Sequence, residues 1–532
     1  MDTLDWLLNP LAWLFARRPA WRDAFGRLLL RIGTRFYWWL AVVLAVAGAW
    51  DQFVHPFNRQ FSQDSFDWLM RHRPIAYHPD PAIVVLDIDE ASLAQLAPKY
   101  GRWPWPRELL GEVGARVEQA GARALVFDIL FADPDVANPV SEANFDRYVA
   151  ASRRSFYPVV RLNPNDDRRS EIAVSMLSFV QPETDGGGRD GARTIALVPP
   201  YFKSIEDSTR IGTNNIYPDD DNVVRWYPNY ESFSGYRIPS LPYRMAQILQ
   251  WPVPHEDRSI LNWPRGTAPY HTVPFAAAVA ALAATDGGFF AQFKDKIVLV
   301  GATAPSLNDV EATPVDGRHP GIYVLATALD NTKNDAYLRP LTPAWIWGFE
   351  LLTLGASAHL FARTSRALAV AKYFFFIPIV LVLISLLSMS MSGLLVDLGV
   401  PAALVLVYFT IGKLFDANLR SFIAGSGAYA ATAREVSTGQ LQIAWLPPSQ
   451  ERQTLLRLVA APGSQIKLWE PEDTGLGQGW MRQGWVLWRW AFADTATAPT
   501  DLGIPLRWID VDTHGNSHAL AEAIATASRE PP

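Results

Sequence analysis

Ala82–Asp89 reads AIVVLDID. A strand with one solvated face alternates apolar and polar residues, so a near-continuous apolar run that ends in acids predicts a strand covered on both faces. Working outward, Arg107–Ala120 sets Leu109, Leu110, Val113 and Val117 at helical spacing and Gly121 stops the helix. Ala122–Phe131 (ARALVFDILF) then repeats the buried-strand pattern. Strand, helix and strand within about 50 residues predict a right-handed parallel unit. Lys296–Thr303 (KIVLVGAT) is a third such strand, with a helix opening behind it over Gly321–Leu329. The domain built on these segments is expected to be α/β with a central, largely parallel sheet.

Ligands of open α/β sheets gather beyond the carboxyl ends of the parallel strands. Those ends carry Asp87, Asp89 and Glu90 on one strand and Asp128, Asp133 and Asp135 after the next. Carboxylates so clustered suit Mg²⁺ or Ca²⁺, with Asp87 and Asp128 as the ligands; the competing reading has both capping helices or pairing with Arg102 and Arg107. Trp103-Pro104-Trp105-Pro106 fixes backbone angles just before Arg107 and presents two indoles rigidly, as a ligand shelf, a dimer contact or core. Gly301-Ala302-Thr303 is a small-residue turn that admits close approach of a ligand. The candidate ligand-binding set is therefore Asp87, Asp89, Asp128, Trp103, Trp105, Arg107 and Thr303.

Asp87-Ile88-Asp89 is also similar to the nucleophile loop of haloacid-dehalogenase-like phosphotransferases. That family expects Thr or Val two positions after the second Asp, where this chain has Ala91. No HExxH pair, GxSxG elbow or GxxxxGK[ST] loop occurs, and Gly186–Gly188 lies among loop residues. With no Cys, the chain has no disulfide, thiolate zinc site or thiol nucleophile.

Apolar residues make up 49% of the 532, concentrated in a few stretches, which excludes a disordered chain and points to the lipid bilayer. Tyr373–Gly412 runs 40 residues with Asp397 as its sole charge, enough for two membrane helices. The expected order is a cytoplasmic amphipathic leader over 1–35, spans at 36–53, 341–362, 373–391 and 394–415, an outer domain over 54–340, and a tail over 416–532. Six arginines in the leader, the Arg363, Arg366 and Lys372 loop, and Lys413 with Arg420 all fall on one side, which the positive-inside rule makes cytoplasmic. Of the net charge of −6, residues 1–35 carry +3, residues 341–412 carry +1 and residues 413–532 carry −2, which leaves −8 for residues 36–340, nearly all of it in the outer domain. That balance fits small solutes or cations and argues against nucleic acid. Glu350 lies near the middle of the second span, where an ionisable side chain is costly. It is expected either to bond Ser or Thr of a neighbouring helix or to couple helices, within one chain or across a homodimer.

The tail has seven tryptophans (Trp445, Trp469, Trp480, Trp485, Trp488, Trp490, Trp508), strands over Gln440–Trp445, Trp485–Phe492 and Leu506–Asp512, and a helix over Ser517–Ala527. It reads as a small α+β domain or a partner-docking module.

VVLDIDEASLAQL (84–96), GRWPWPREL (101–109), AGARALVFDILFADPD (120–135), DDDNVVRWYP (219–228), IPSLPYRMA (238–246) and KIVLVGATAPSLNDVEATPVDGRHPGIYVLATALDN (296–331) together resemble the CHASE type 2 extracellular sensor domain. The resemblance implies a bacterial inner-membrane receptor with one helix before a periplasmic sensor and three after it. Relatives of this kind feed cyclases or histidine kinases, but this tail is too short for either and lacks a phosphate-binding glycine loop. The expectation is a noncatalytic tail, without cofactor, acting on a separate cytoplasmic effector. The alternative is a structural or assembly subunit whose partner is an envelope protein.

Overall fold

The computed structural model of the chain describes residues 28–56, 58–182, 194–201, 209–233, 235–284, 287–363, 367–425, 440–446, 466–469, 485–490 and 508–512. The chain divides into two compact units. The one holding the sheet comprises Gln60–Leu341 and Ile384–Asp397.

Its longer helices are α2 (Arg59–His72), α3 (Glu90–Tyr100), α4 (Arg107–Gln119), α5 (Pro139–Ala151), α6 (Leu241–Leu249), α7 (Phe275–Ala283) and α8 (Gly321–Lys333). The central sheet is made of β1 (Ile83–Ile88), β2 (Ala124–Phe127), β3 (Ser155–Arg161), β4 (Leu197–Val198), β5 (Ile211–Thr213), β6 (His271–Pro274) and β7 (Ile297–Ala302). Its order is β6-β1-β7-β2-β3-β4, with β5 also on β3, and every pairing is parallel except β3 with β4. The mixed, mostly parallel α/β sheet expected from the sequence is present. β1 and β2 are parallel but not adjacent, because β7, some 170 residues later in the chain, lies between them.

All six residues of β1 are buried, because helices cover both faces. Val84, Leu86 and Ile88 join Leu109, Val113 and Phe275 on one side, whereas Ile83 and Val85 join Met70, Met245 and Ile322 on the other. Each such side chain contributes about 1.5–3 kcal/mol by leaving water. β7 and β2 alternate in the same way, which accounts for three unbroken apolar runs in the sequence.

The chain leaves the sheet unit through β8 (Arg339–Pro340), which pairs in parallel with β9 (Leu394–Leu395). Arg339 N donates to Gly393 O (3.0 Å) and Leu341 N to Leu395 O (2.9 Å). Ser65 Oγ donates to Asp397 Oδ1 (2.8 Å), and Met389 is buried in the same core cluster as Phe66, Leu69 and Met70.

In the other unit, α1 (Arg35–Phe53), α9 (Pro343–Arg363) and α11 (Gly399–Gly425) pack together through Ala41 and Ala45, Leu354 and Ala358, and Val405 and Phe409. The remaining long helix is α10 (Ala367–Ser392). Among the described residues, Arg35–Phe53, Tyr373–Ser392 and Gly399–Asp416 are helical stretches long and apolar enough to cross a membrane. α9 has the length, but Gly348, Glu350, Gly355, Ser357 and His359 dilute its hydropathy. The last of these stretches starts at Gly399, five residues after the expected 394, because Gly393 adopts φ 64° and Leu394–Leu395 pairs as a strand.

The tail strands β10 (Gln440–Leu446), β11 (Lys467–Trp469), β12 (Trp485–Trp490) and β13 (Trp508–Asp512) form an antiparallel sheet in the order β11-β12-β10-β13. Most of the basic leader, the glycine run Gly186–Gly188, Arg366 and the expected Ser517–Ala527 helix lie outside the described residues.

Candidate functional site

Asp87 is in register with Gly301 across the β1–β7 ladder, and Asp128 follows the Val300–Phe127 pair of the β7–β2 ladder. The two aspartates thus flank Gly301 at the carboxyl edge. All three positions face the α8 side of the sheet, with Val85, Leu299 and Val126. Gly301 is needed there: a Cβ would lie 2.6 Å from Ile322 Cδ1 of α8 and 2.9 Å from Asp128 Cβ.

Each carboxylate is held by donors from a distant part of the chain. Asp87, 5% exposed, accepts from Thr303 N at 3.0 Å and from Thr303 Oγ1 at 2.6 Å. Asp128 accepts from Asn214 Nδ2 at 2.5 Å, while Asn214 Oδ1 accepts from Tyr227 Oη at 2.7 Å. The phenol fixes the amide, which is left with its NH₂ directed at Asp128. Asp309 completes the edge, with its carbonyl accepting the N–H of Gly321 at the start of α8 (3.1 Å).

Burial raises the pKa of Asp87, against the lowering effect of the two Thr303 bonds, and the neighbouring Asp89 adds to the rise. Burial and then the charge of Asp309 push Asp128 up to about 7, with Asn214 opposing. Burial also raises Asp309, and burial with the Asp128 charge raises the Tyr227 phenol. Asp128 is thus the carboxyl of this edge that is raised to near neutrality, and the Thr303, Asn214 and Tyr227 donors are spent within the cluster.

The other expected site residues have separate tasks. Asp89 is the N-cap of α3 and accepts from Ser92 N (2.7 Å). Trp105, 2% exposed, stacks on Phe275 with centroids 5.5 Å apart and takes Trp103 edge-on at 5.0 Å, so this pair belongs to the core and its margin. Arg107 pairs with Glu142 (2.7 Å) and donates to the Asp133 carbonyl; its bonds go to neither Asp87 nor Asp128. Asp87 and Asp128 start two strand spacings apart, about 10 Å. Among the described residues no three His, Cys, Asp or Glu side chains converge as a metal site. The sequence reading missed Asn214, Tyr227 and Asp309. Tyr227 and Asp309 lie inside quoted motifs, but Asn214 follows a strand of only three residues.

The family model of the CHASE2 domain matches residues 39–362, more than half of the chain. The chain belongs to the CHASE2 family. CHASE2 is an extracellular sensor domain, and here the matched region runs from within α1 to within α9. No curated protein and no solved structure matches the chain.

Proposed function

We propose that the chain is a bacterial inner-membrane receptor. Its CHASE2 domain lies in the periplasm and takes a small polar solute at the Asp87–Gly301–Asp128 edge. Four helices, α9 included, cross the membrane, and the cytoplasmic tail acts without catalysis on a separate effector.

The observation that carries this reading is the course of α8. Its first turn lies against the carboxylate edge, through Gly321 at Asp309 and Ile322 at Gly301. Its far end leads through Tyr337 and Leu338 into β8, which grips the turn between α10 and α11. A ligand that moves α8 would therefore be felt at β8 and at its partner β9, which follows α10.

The chain's lack of Cys allows a direct test. Arg339 and Leu394 are Cα partners, and neighbouring strands about 4.8 Å apart are within disulfide reach. The double variant Arg339→Cys/Leu394→Cys, oxidised in membranes, locks the grip. The tail's binding to its cytoplasmic partner should then differ between oxidised and reduced protein. Identical binding in the two states would refute the receptor and leave the scaffold.

A further inference from the structure

Glu350 is fully buried in the helix unit, and neither carboxyl oxygen has a hydrogen-bond partner. The expected Ser or Thr of a neighbouring helix is not what it meets. Its carboxyl lies flat on α1 at Gly48, where an added Cβ would come within 1.9 Å of Oε1 and 2.3 Å of Oε2. The hydroxyls nearby on α9 are bonded to their own helix, Thr353 to Phe349 O (2.9 Å) and Ser357 to Thr353 O (2.7 Å). One turn back, Trp347 Nε1 donates to Ala45 O at 3.1 Å, so α9 is fastened to α1 beside the carboxyl.

A bare carboxylate in that position lacks both water and a donor and would cost several kcal/mol. It needs a positive charge, and among the described residues no basic side chain bonds it. α1 has no Lys, Arg or His after Arg35, and His359 on α9 is exposed and nine residues further along. The described titratable groups of α11 lie elsewhere: Tyr408 donates to Tyr37 O, Asp416 accepts from Tyr37 Oη, and Lys413 follows Gly412, which abuts Phe361. The titratable group that does face this region from α1 is Asp51, three residues beyond Gly48 on its buried face. Asp51 is 6% exposed, and its Oδ1 accepts from Asn58 N (2.9 Å), where the chain leaves α1.

We propose that Glu350 is a proton-binding site of the helix bundle, loaded from the outer aqueous phase by way of Asp51, so that the α1–α9 contact registers external acidity. Uptake converts the carboxylate to the neutral acid, which α1 accommodates only because residue 48 is glycine. Release leaves a charge that drives the carboxyl off Gly48 and loosens the contact. The proton's outer origin rests on the proposed topology; the site itself does not.

The full chain in liposomes, with internal pH clamped, is examined by infrared difference spectroscopy while external pH is stepped from 5 to 8. The wild type should show a protonated-carboxyl band that is lost on the alkaline side and is absent in Glu350→Gln. Asp51→Asn should move the midpoint of that loss to lower pH, by about one unit for removal of a neighbouring like charge. Gly48→Ala should abolish the band even where Glu350→Gln folds and inserts normally. A wild-type difference spectrum unchanged in Glu350→Gln would overturn the site, as would a band removed by sodium at constant pH. A Glu350 band that follows internal rather than external pH would leave the site standing and overturn the outer loading and the topology.

Discussion

Asp128→Asn isolates the electrostatics of the carboxylate edge, because the substituted amide keeps an oxygen for Asn214 Nδ2 and removes the titration. In the folded protein Asp128 is raised from 3.8 to about 7, first by burial and then by the charge of Asp309. The sign follows from linkage. Below about pH 4 the carboxyl is protonated in both folded and unfolded chains, and its favourable contribution is fully present. Between about pH 4 and 7 the unfolded chain ionises while the folded one holds its proton, so stability is lost progressively and levels off above about 7. Three units at about 1.4 kcal/mol each set an upper bound of about 4 kcal/mol. Partial exposure of Asp128 brings the working figure to about 2–3 kcal/mol, several degrees in Tm for a unit of this size. Urea or thermal unfolding of the detergent-solubilised chain at pH 4.5 and 7.5 gives the measurement. Asp87, Asp309 and Asp330 are raised as well and slope the same way, so the quantity to read is the difference between wild type and variant. Asp128→Asn should lose less stability across that window, and Asp309→Asn should shift the wild-type decline to lower pH. Parallel pH profiles for wild type and Asp128→Asn would refute the assignment.

Thr303→Val removes the hydroxyl donor from buried Asp87 while the backbone N–H remains; unfolding should show a loss of about 1–3 kcal/mol, and a change within error would mean that water takes over the bond. Reporter fusions after residue 200, in the 363–372 loop and at the C-terminus should read outside, inside and inside, and an outside C-terminus would remove the four-span topology. The purified chain should turn over neither nucleotides nor phosphate esters, and Asp87→Asn should not change that baseline; an activity abolished by Asp87→Asn would reinstate the phosphotransferase.

Legibility followed locality. β1, β2 and β7 announce themselves because helices on both faces require unbroken apolar runs. β3 carries Pro158 and polar ends, β5 has three residues and β6 reads HTVP, so the local pattern of each resembles a loop. Asp89, expected among the ligand residues, is instead a helix cap, a role that an acid just before a helical run also signals. The partners of the site residues were not readable. Thr303 meets Asp87 across 216 positions, Asn214 meets Asp128 across 86, and Glu350 meets Gly48 across 302. No periodicity encodes which strand inserts between two others, and that insertion is what places Gly301 between the two aspartates.

The receptor proposed above requires α8 to carry a displacement from the carboxylate edge to β8, and the burial of the helix favours that. A surface helix can tilt while its exposed face yields, but every residue of α8 from Gly321 to Thr332 is buried, polar Thr327, Asp330 and Asn331 among them. The polar ones are tied into the surrounding core: Asp330 accepts from Tyr77, Tyr270 and the Asp80 N–H, and Asn331 Oδ1 accepts from Asn262 N. A close-packed element of this kind moves as a body or stays put, because interiors at crystal-like density do not deform continuously. A charge change at Asp128, or a ligand that displaces Asp309 from the start of α8, therefore cannot be absorbed within the helix. In the proposed receptor it would be either resisted by the Asp330 network or delivered to Leu338, whose N–H bonds Ile260 O one residue before the β8 ladder begins. On this reasoning the strength of the Asp330 network sets how much of a perturbation at the edge reaches the grip on the α10–α11 turn.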